Sequence, residues 1–199
     1  MLIVKRGVGV YYVEVKRVSN LLDSSRSYHK VRRTRRADLM SKPYPTADSK
    51  EQCESSESIV EYLHKVREQS QQVYDEILYV EQPAERDLTE HRWDLRSLAK
   101  LKPVLIDNSL ATVEDFKLVM ELGWSGIALK SRKCLSSDLL FIPIAELHHI
   151  RYVVQDLTNP SLALLETVGL AAHTYTMIGV EANSRRSIRP CTGSRIAWR

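Results

Sequence analysis

The chain is short of cysteine, glycine and proline, with 3, 7 and 7 of each among 199 residues. So little Gly and Pro, beside 43% hydrophobic and 27% charged residues, excludes collagen-like, low-complexity and wholly disordered chains. Cys53, Cys134 and Cys191 are odd in number and far apart, so neither a disulfide scaffold nor a zinc site of C-x-x-C spacing is available. All three read as free thiols. Long apolar runs are missing too. None approaches the roughly 20 residues of a membrane span, and Met1-Leu2-Ile3-Val4 stops at Lys5-Arg6, too soon for the core of a signal peptide. The expected setting is cytoplasmic with no membrane partner, and the length suits one domain around one core.

What is present is unevenly charged. Residues 1–42 carry 11 basic and 3 acidic side chains, residues 43–180 carry 13 and 21, and residues 181–199 carry 5 and 1. The densest basic piece, Lys30-Val31-Arg32-Arg33-Thr34-Arg35-Arg36, suits phosphate binding without sequence preference. It lacks nearby stacking aromatics and a known reader motif, so it reads as a solvated helix face and nucleic acid is not an expected partner.

From about residue 73 onward short apolar runs alternate with loops and amphipathic stretches, the pattern of βα units. The runs end at Glu81, Asp107, Lys130, Asp156 and Glu181, spaced 26, 23, 26 and 25 residues apart. That spacing is one strand plus one crossover helix, and strands apolar on both faces are expected where helices cover a parallel sheet. Between them, Thr112-Val113-Glu114-Asp115 supplies an N-cap and acidic first turn, Phe116, Val119 and Met120 an apolar stripe, and Gly123 a C-terminal cap. Upstream, Ser55 or Ser56 caps an expected helix through about Gln72, with Ile59, Leu63 and Val66 on one face. Pro143 is expected to kink the helix after Lys130 or delay its start. Nearer the N-terminus, Tyr11 to Lys16 reads as one strand, and Pro43 and Pro45 predict an irregular strand reaching Asp48. The divisions are thus a basic segment 1–42 holding one strand, β/α units over 43–186, and a basic tail 187–199.

In a parallel β/α barrel every strand points its C-terminal end to the same face, so strand-end residues converge. The convergent set is Asp48, Glu81, Asp107 and Lys130. Three carboxylates repel one another, and a hard divalent cation such as Mg²⁺ is the usual way to hold them together. Lysine is no ligand for such an ion, but an ammonium is disfavoured beside a cation, which suits Lys130 to act as a general base. Read singly, Glu81 and Asp107 are ordinary strand-end charges; the placement of Glu81 before Gln-Pro and one βα unit from Asp107 favours a common site, while Asp48, in a poorly patterned segment, reads equally as a ligand or a turn cap. His148-His149 lacks a second ligand pair and reads as surface or core histidine.

These residues resemble a known family. Val80-Glu81-Gln82-Pro83, then Val104-Leu105-Ile106-Asp107-Asn108-Ser109, then Ile127-Ala128-Leu129-Lys130-Ser131 are similar to successive barrel strands of the enolase superfamily, in its mandelate racemase/muconate lactonizing enzyme group. Asp48-Ser49-Lys50-Glu51-Gln52 resembles that group's first metal-binding segment, and the stretches after Gln155 and Val180 its seventh and eighth strand ends. The resemblance implies a TIM-type (β/α) barrel, Mg²⁺ held by Asp48, Glu81 and Asp107, Lys130 as base, and Lys16 as the opposite-face acid or base. Gln155, Asp156 and Glu181 would orient other groups or stabilise an intermediate. Departures are visible: Glu14-Val15-Lys16 stands for the group's K-x-K, Asn108 for its usual Glu, Lys50 for Asn and Cys134 for Gly.

The resemblance further implies proton abstraction α to the carboxylate of a small substrate, followed by racemisation, cycloisomerisation or dehydration, an isomerase or lyase activity. Members of the group are nearly twice as long, which predicts an incomplete barrel of about seven strands lacking the first strand and the N-terminal capping domain. Such a barrel has open edges, so self-association is expected. The alternatives are a catalytically silent remnant that associates with other proteins, and weak nucleic-acid binding through residues 30–36.

Overall fold

A computed structural model describes residues 2–6, 9–13, 44–49, 53–155 and 162–174. Seven strands, β1 (Leu2–Arg6), β2 (Gly9–Val13), β3 (Tyr44–Asp48), β4 (Val80–Glu81), β5 (Val104–Ile106), β6 (Gly126–Leu129) and β7 (Arg151–Val154), form one sheet in the order β2-β1-β3-β4-β5-β6-β7. Strands β3 to β7 are parallel neighbours in sequence order. Their crossovers run through helices α1 (Ser56–Gln69), α2 (Gln71–Glu76), α3 (Arg96–Leu101), α4 (Val113–Glu121) and α5 (Ser131–Leu147), with α6 (Leu162–Ala172) following β7. This is the α/β topology of a TIM-type barrel, as the βα spacing implies.

The N-terminal strands correct the expectation. Where one strand over 11–16 is expected, residues 2–6 and 9–13 hold two, β1 and β2, which pair antiparallel with each other, and β1 pairs antiparallel with β3; residues 14–16 lie outside the described residues. Two residues separate Arg6 from its partner Gly9, the spacing of a tight hairpin. Strand β3 runs unbroken through Pro45, because its parallel pairing with β4 begins only at Ala47 and so asks nothing of the missing proline N–H.

Helix boundaries follow their caps. Ser55 caps α1 by accepting from the Ser58 N–H, but the expected run to Gln72 breaks at Ser70. There one serine ends α1 and starts α2, its N–H donating to the Val66 carbonyl and its Oγ accepting from the Val73 N–H. Helix α4 carries the full capping box: Thr112 Oγ1 accepts from the Asp115 N–H and Asp115 Oδ2 from the Thr112 N–H. Gly123 closes it at φ 81°. In α5 the break is not at Pro143 but at Cys134, whose φ and ψ are −173° and 110°. Pro143 and Leu139, whose carbonyl loses its partner, are exposed, so water can serve that carbonyl.

The sheet's two faces differ. One carries Val80, Ile106, Ile127, Leu129 and Val154, which share a core with Leu63 of α1, Leu98 of α3, Phe116 and Val119 of α4, Phe141 of α5 and Leu170 of α6. The other carries a smaller apolar layer of Tyr79, Leu105, Ala128 and Val153. Gly126 belongs to this inner face opposite Leu105; a Cβ there would lie 2.9 Å from Leu105 Cγ and 3.1 Å from the Arg151 backbone oxygen. Gly126→Val is therefore expected to lower stability by about 1–3 kcal/mol through overpacking, read as a drop in the thermal midpoint.

Candidate functional site

Two residues beyond that apolar layer, along the same face, the side chains change character. Period-two alternation places Glu81 above Tyr79, Asp107 above Leu105, Lys130 above Ala128 and Gln155 above Val153, and Asp48 stands level with Glu81. Glu81 pairs with Leu105 and Leu105 with Gly126, so Asp107 sits two residues further along than Glu81, and Lys130 two further than Asp107. Asp48 to Glu81 and Lys130 to Gln155 show no offset. The mean climb is about one residue per strand, the stagger that arranges alternate strand residues of an eight-stranded barrel into layers across its axis. These five groups thus form one polar layer at the C-terminal end of the parallel strands.

The layer is buried. Asp48, Glu81 and Asp107 are 4–6% exposed and Gln155 is fully buried. Lys130 Nζ donates to Asp107 Oδ2, two side chains only 10% and 8% exposed. On the other side of the layer, Gln155 Nε2 donates to Glu81 Oε2 at 3.3 Å and to the Tyr79 hydroxyl at 3.1 Å. The carboxylate requires the amide nitrogen to face it, and this leaves Gln155 Oε1 buried with no hydrogen-bond partner among the described residues. Burial, with Glu81 close by, pushes the Tyr79 phenol well above its usual range, so it remains a neutral hydroxyl beneath the layer.

Gln82 follows Glu81 with a positive φ of 39°, a conformation that costs a non-glycine residue about 1–3 kcal/mol. It is 2% exposed. Its Oε1 accepts from the backbone N–H groups of Asp107 at 2.9 Å and Asn108 at 3.0 Å, and its Nε2 donates to the Ala84 carbonyl and Ser109 Oγ. Ser49 Oγ donates to the Gln82 carbonyl.

Asp48, Glu81, Asp107, Lys130 and Gln155 are thus brought to one end and face of the sheet. Asp156, Glu181, Lys16 and residues 30–36 lie outside the described residues. His148 and His149 are exposed at the end of α5, as surface histidines. The neighbours missed from sequence are Tyr79, hidden inside an apolar run, and the side-chain roles of Gln82, Ser49 and Ser109.

Among the described residues no three His, Cys, Asp or Glu side chains are gathered as a metal-holding group. Asp48, Glu81 and Asp107 stand on one face at the C-terminal ends of neighbouring strands, with Asp107 turned to Lys130 and Glu81 to Gln155. The donor types fit a hard cation: carboxylates on three neighbouring strands, with the amide oxygen of Gln155, which has no hydrogen-bond partner among the described residues, in the same layer.

Cys134 lies just beyond, at the break in α5. Hydrogen bonds from Ser136 and Ser137 lower its thiol to about 7, whereas burial raises that of Cys53. The thiolate of Cys134 is therefore present above about pH 7 and lost below it. Alkylation followed residue by residue in mass spectra is expected to rise to half its maximal rate near pH 7 at Cys134 and at distinctly higher pH at Cys53. Equal labelling of both at pH 7 would contradict this.

Solved structures share the fold. A mandelate racemase/muconate lactonizing family protein from Azoarcus sp. EbN1 matches with a TM-score of 0.59 at 17% identity, over 83% of this chain and 42% of that one. Muconate lactonizing enzyme from Pseudomonas putida matches with a TM-score of 0.56 at 19% identity, over 76% and 40%. A mandelate racemase/muconate lactonizing protein from Paracoccus denitrificans PD1222, complexed with magnesium, matches with a TM-score of 0.50 at 12% identity, over 62% and 31%. The chain spans less than half the length of each. No protein-family model matches the sequence, and no curated protein does. Among the described residues no helix is long and apolar enough to cross a membrane.

Proposed function

We propose that this chain, which shares the barrel fold of the mandelate racemase/muconate lactonizing enzyme group, carries that group's site for Mg²⁺-dependent abstraction of a proton α to a carboxylate. The observation that carries the reading is the burial of Glu81 and Asp107 in one layer at the C-terminal strand ends, with Lys130, its side chain 10% exposed, bonded to Asp107. Strand ends of such barrels are where catalytic groups gather.

Asp48, Glu81 and Asp107 would hold the cation, which when bound supplies electrostatic stabilisation of negative charge developing on a substrate carboxylate. The chain's own residues do the rest. Lys130 in its neutral form takes the α-proton: a C–H bond breaks, an N–H bond forms, and the electron pair passes toward the carboxylate. Lys16 would return a proton from the opposite face in a racemisation or epimerisation. In a dehydration the electron pair would instead form a C=C bond as the neighbouring C–O bond breaks, the oxygen taking a proton from an acid such as protonated Lys16 to leave as water. In a cycloisomerisation the C–O bond of a lactone ring would break and its oxygen leave as a carboxylate. Gln155 Nε2 keeps Glu81 oriented, and Asp156 and Glu181 would orient other groups or stabilise an intermediate. A small carboxylic acid is the substrate class, and a cytoplasmic setting belongs to the same reading.

Calorimetric titration of the full chain with Mg²⁺ tests it. Sub-millimolar binding that falls by about 10-fold or more in Glu81→Gln is the expected result. A folded wild-type protein that takes up no Mg²⁺ would remove the reading, as would failure to exchange the α-proton of any of a panel of hydroxy and amino acids in D₂O.

A further inference from the structure

We infer that Gln82 is a positioning residue which fixes Asp107, and through it the Asp107–Lys130 pair, relative to Glu81. This rests on the metal-site reading above only for its effect on Mg²⁺; the structural part stands by itself.

The last residue of β4 paired with β5 is Glu81, and Asp107 lies one residue beyond the end of β5. The ladder therefore offers no strand carbonyl to the Asp107 N–H. Gln82 leaves the strand direction at its positive φ and supplies the missing acceptor from its side chain, serving both Asp107 and Asn108. The amide's orientation is determined by its neighbours. Two backbone N–H groups can only donate and the Ala84 carbonyl can only accept, so oxygen and nitrogen cannot be exchanged. All the hydrogen-bonding capacity of the amide is used: two bonds accepted by the oxygen and two donated by the nitrogen, the latter to the Ala84 carbonyl and Ser109 Oγ.

The backbone of the same residue extends the frame. Its N–H donates to the Leu105 carbonyl at 2.9 Å and its carbonyl accepts from Ser49 Oγ at 2.9 Å. One buried residue thus ties together the turns after β3, β4 and β5, each of which follows one of the three acids Asp48, Glu81 and Asp107. With its N–H held, the Asp107 backbone cannot turn, and its carboxylate starts from one direction toward Lys130. A side chain that only filled space, such as leucine, would take the Oε1 acceptor away from the buried Asp107 N–H and the half-buried Asn108 N–H and free this turn.

The test uses the full chain and three variants. Gln82→Leu removes every side-chain bond; Gln82→Glu keeps the acceptors facing Asp107 and Asn108; Ser109→Ala removes one partner of the amide nitrogen and leaves both bonds to the β5 turn. In backbone amide hydrogen exchange, Gln82→Leu is expected to speed Asp107 and Asn108 by about 10-fold or more while β6 and β7 amides are unchanged. Gln82→Glu is expected to keep both amides protected. In Mg²⁺ calorimetry, Gln82→Leu is expected to bind about 10–100-fold more weakly, as when a group orienting a ligand is removed, and Ser109→Ala close to wild type.

A folded Gln82→Leu with unchanged exchange at both amides, or with undiminished Mg²⁺ affinity, overturns the inference. If Gln82→Leu does not fold, Gln82→Glu decides: protected amides support the acceptor role and freely exchanging ones overturn it. If the wild type binds no Mg²⁺, the proposed function falls, and the exchange arm still decides the role of Gln82.

Discussion

Replacing Lys130 by methionine is expected to reduce α-proton exchange of a responsive substrate by roughly 10²–10⁴-fold, the usual contribution of a positioned base. The same change strikes stability. Lys130 and Asp107 are a pair whose side chains are 10% and 8% exposed, and removing one partner of a buried pair costs about 3–5 kcal/mol because the other charge stays buried. For a chain of this size that is a fall of roughly 10 °C in the thermal midpoint. Two further measurements separate the roles. Adding Asp107→Leu to Lys130→Met removes the stranded charge and is expected to recover much of the midpoint while leaving exchange absent. Saturating Mg²⁺ is expected to raise the midpoint of Lys130→Met, since a ligand that binds only the folded state stabilises it. A Lys130→Met protein with wild-type midpoint and wild-type exchange would refute both the pairing and the base.

Phe116→Ala is the core substitution with the largest expected effect, a loss of about 3–5 kcal/mol. Phe116 is 1% exposed, and its ring lies 5.9 Å from that of Phe141 at 33°, joining α4 to α5. It belongs to the same core as Ile106, Ile127 and Leu129, the outward-facing residues of the two strands that present Asp107 and Lys130. A cavity there removes support from behind the polar layer. Chemical denaturation is expected to show a lower midpoint with an unchanged slope, and Phe116→Leu, which keeps more volume, is expected to recover part of the loss. Equal stability of Phe116→Ala and wild type would show that α4 does not anchor the sheet.

Much of this was legible because it is local. Thr112, Asp115 and Gly123 mark both ends of α4, and capping needs only atoms within a turn of the chain. The strand ends at Glu81, Asp107 and Lys130 stand out because apolar runs stop there, and their regular spacing brings them to one end of a parallel sheet. Three other features were not legible. The pattern at Leu2-Ile3-Val4 reads as a short apolar run, and nothing within it says that it pairs with β2 on one side and β3 on the other. Pro143 is a stronger helix breaker than Cys134, yet α5 continues through it, because the proline lies on a solvent-facing side where a freed carbonyl can be hydrated, and the break falls instead at Cys134. Tyr79 sits in a run apolar on both faces, so period-two alternation does not reveal that its hydroxyl meets Gln155 beneath the acids.

The βα repeat, the residues at its strand ends, and so the chemical types available in the layer are written in the order of residues, since apolar periodicity and caps act over one or two turns of chain. How those groups are joined is a property of the folded sheet. Lys130 reaches Asp107 across 23 residues, Gln155 reaches Glu81 across 74, and Gln82 holds the turn after β5 from 25 residues away. Each of these contacts depends on strand register and stagger, quantities set by how the whole sheet packs on its core rather than by any stretch of sequence.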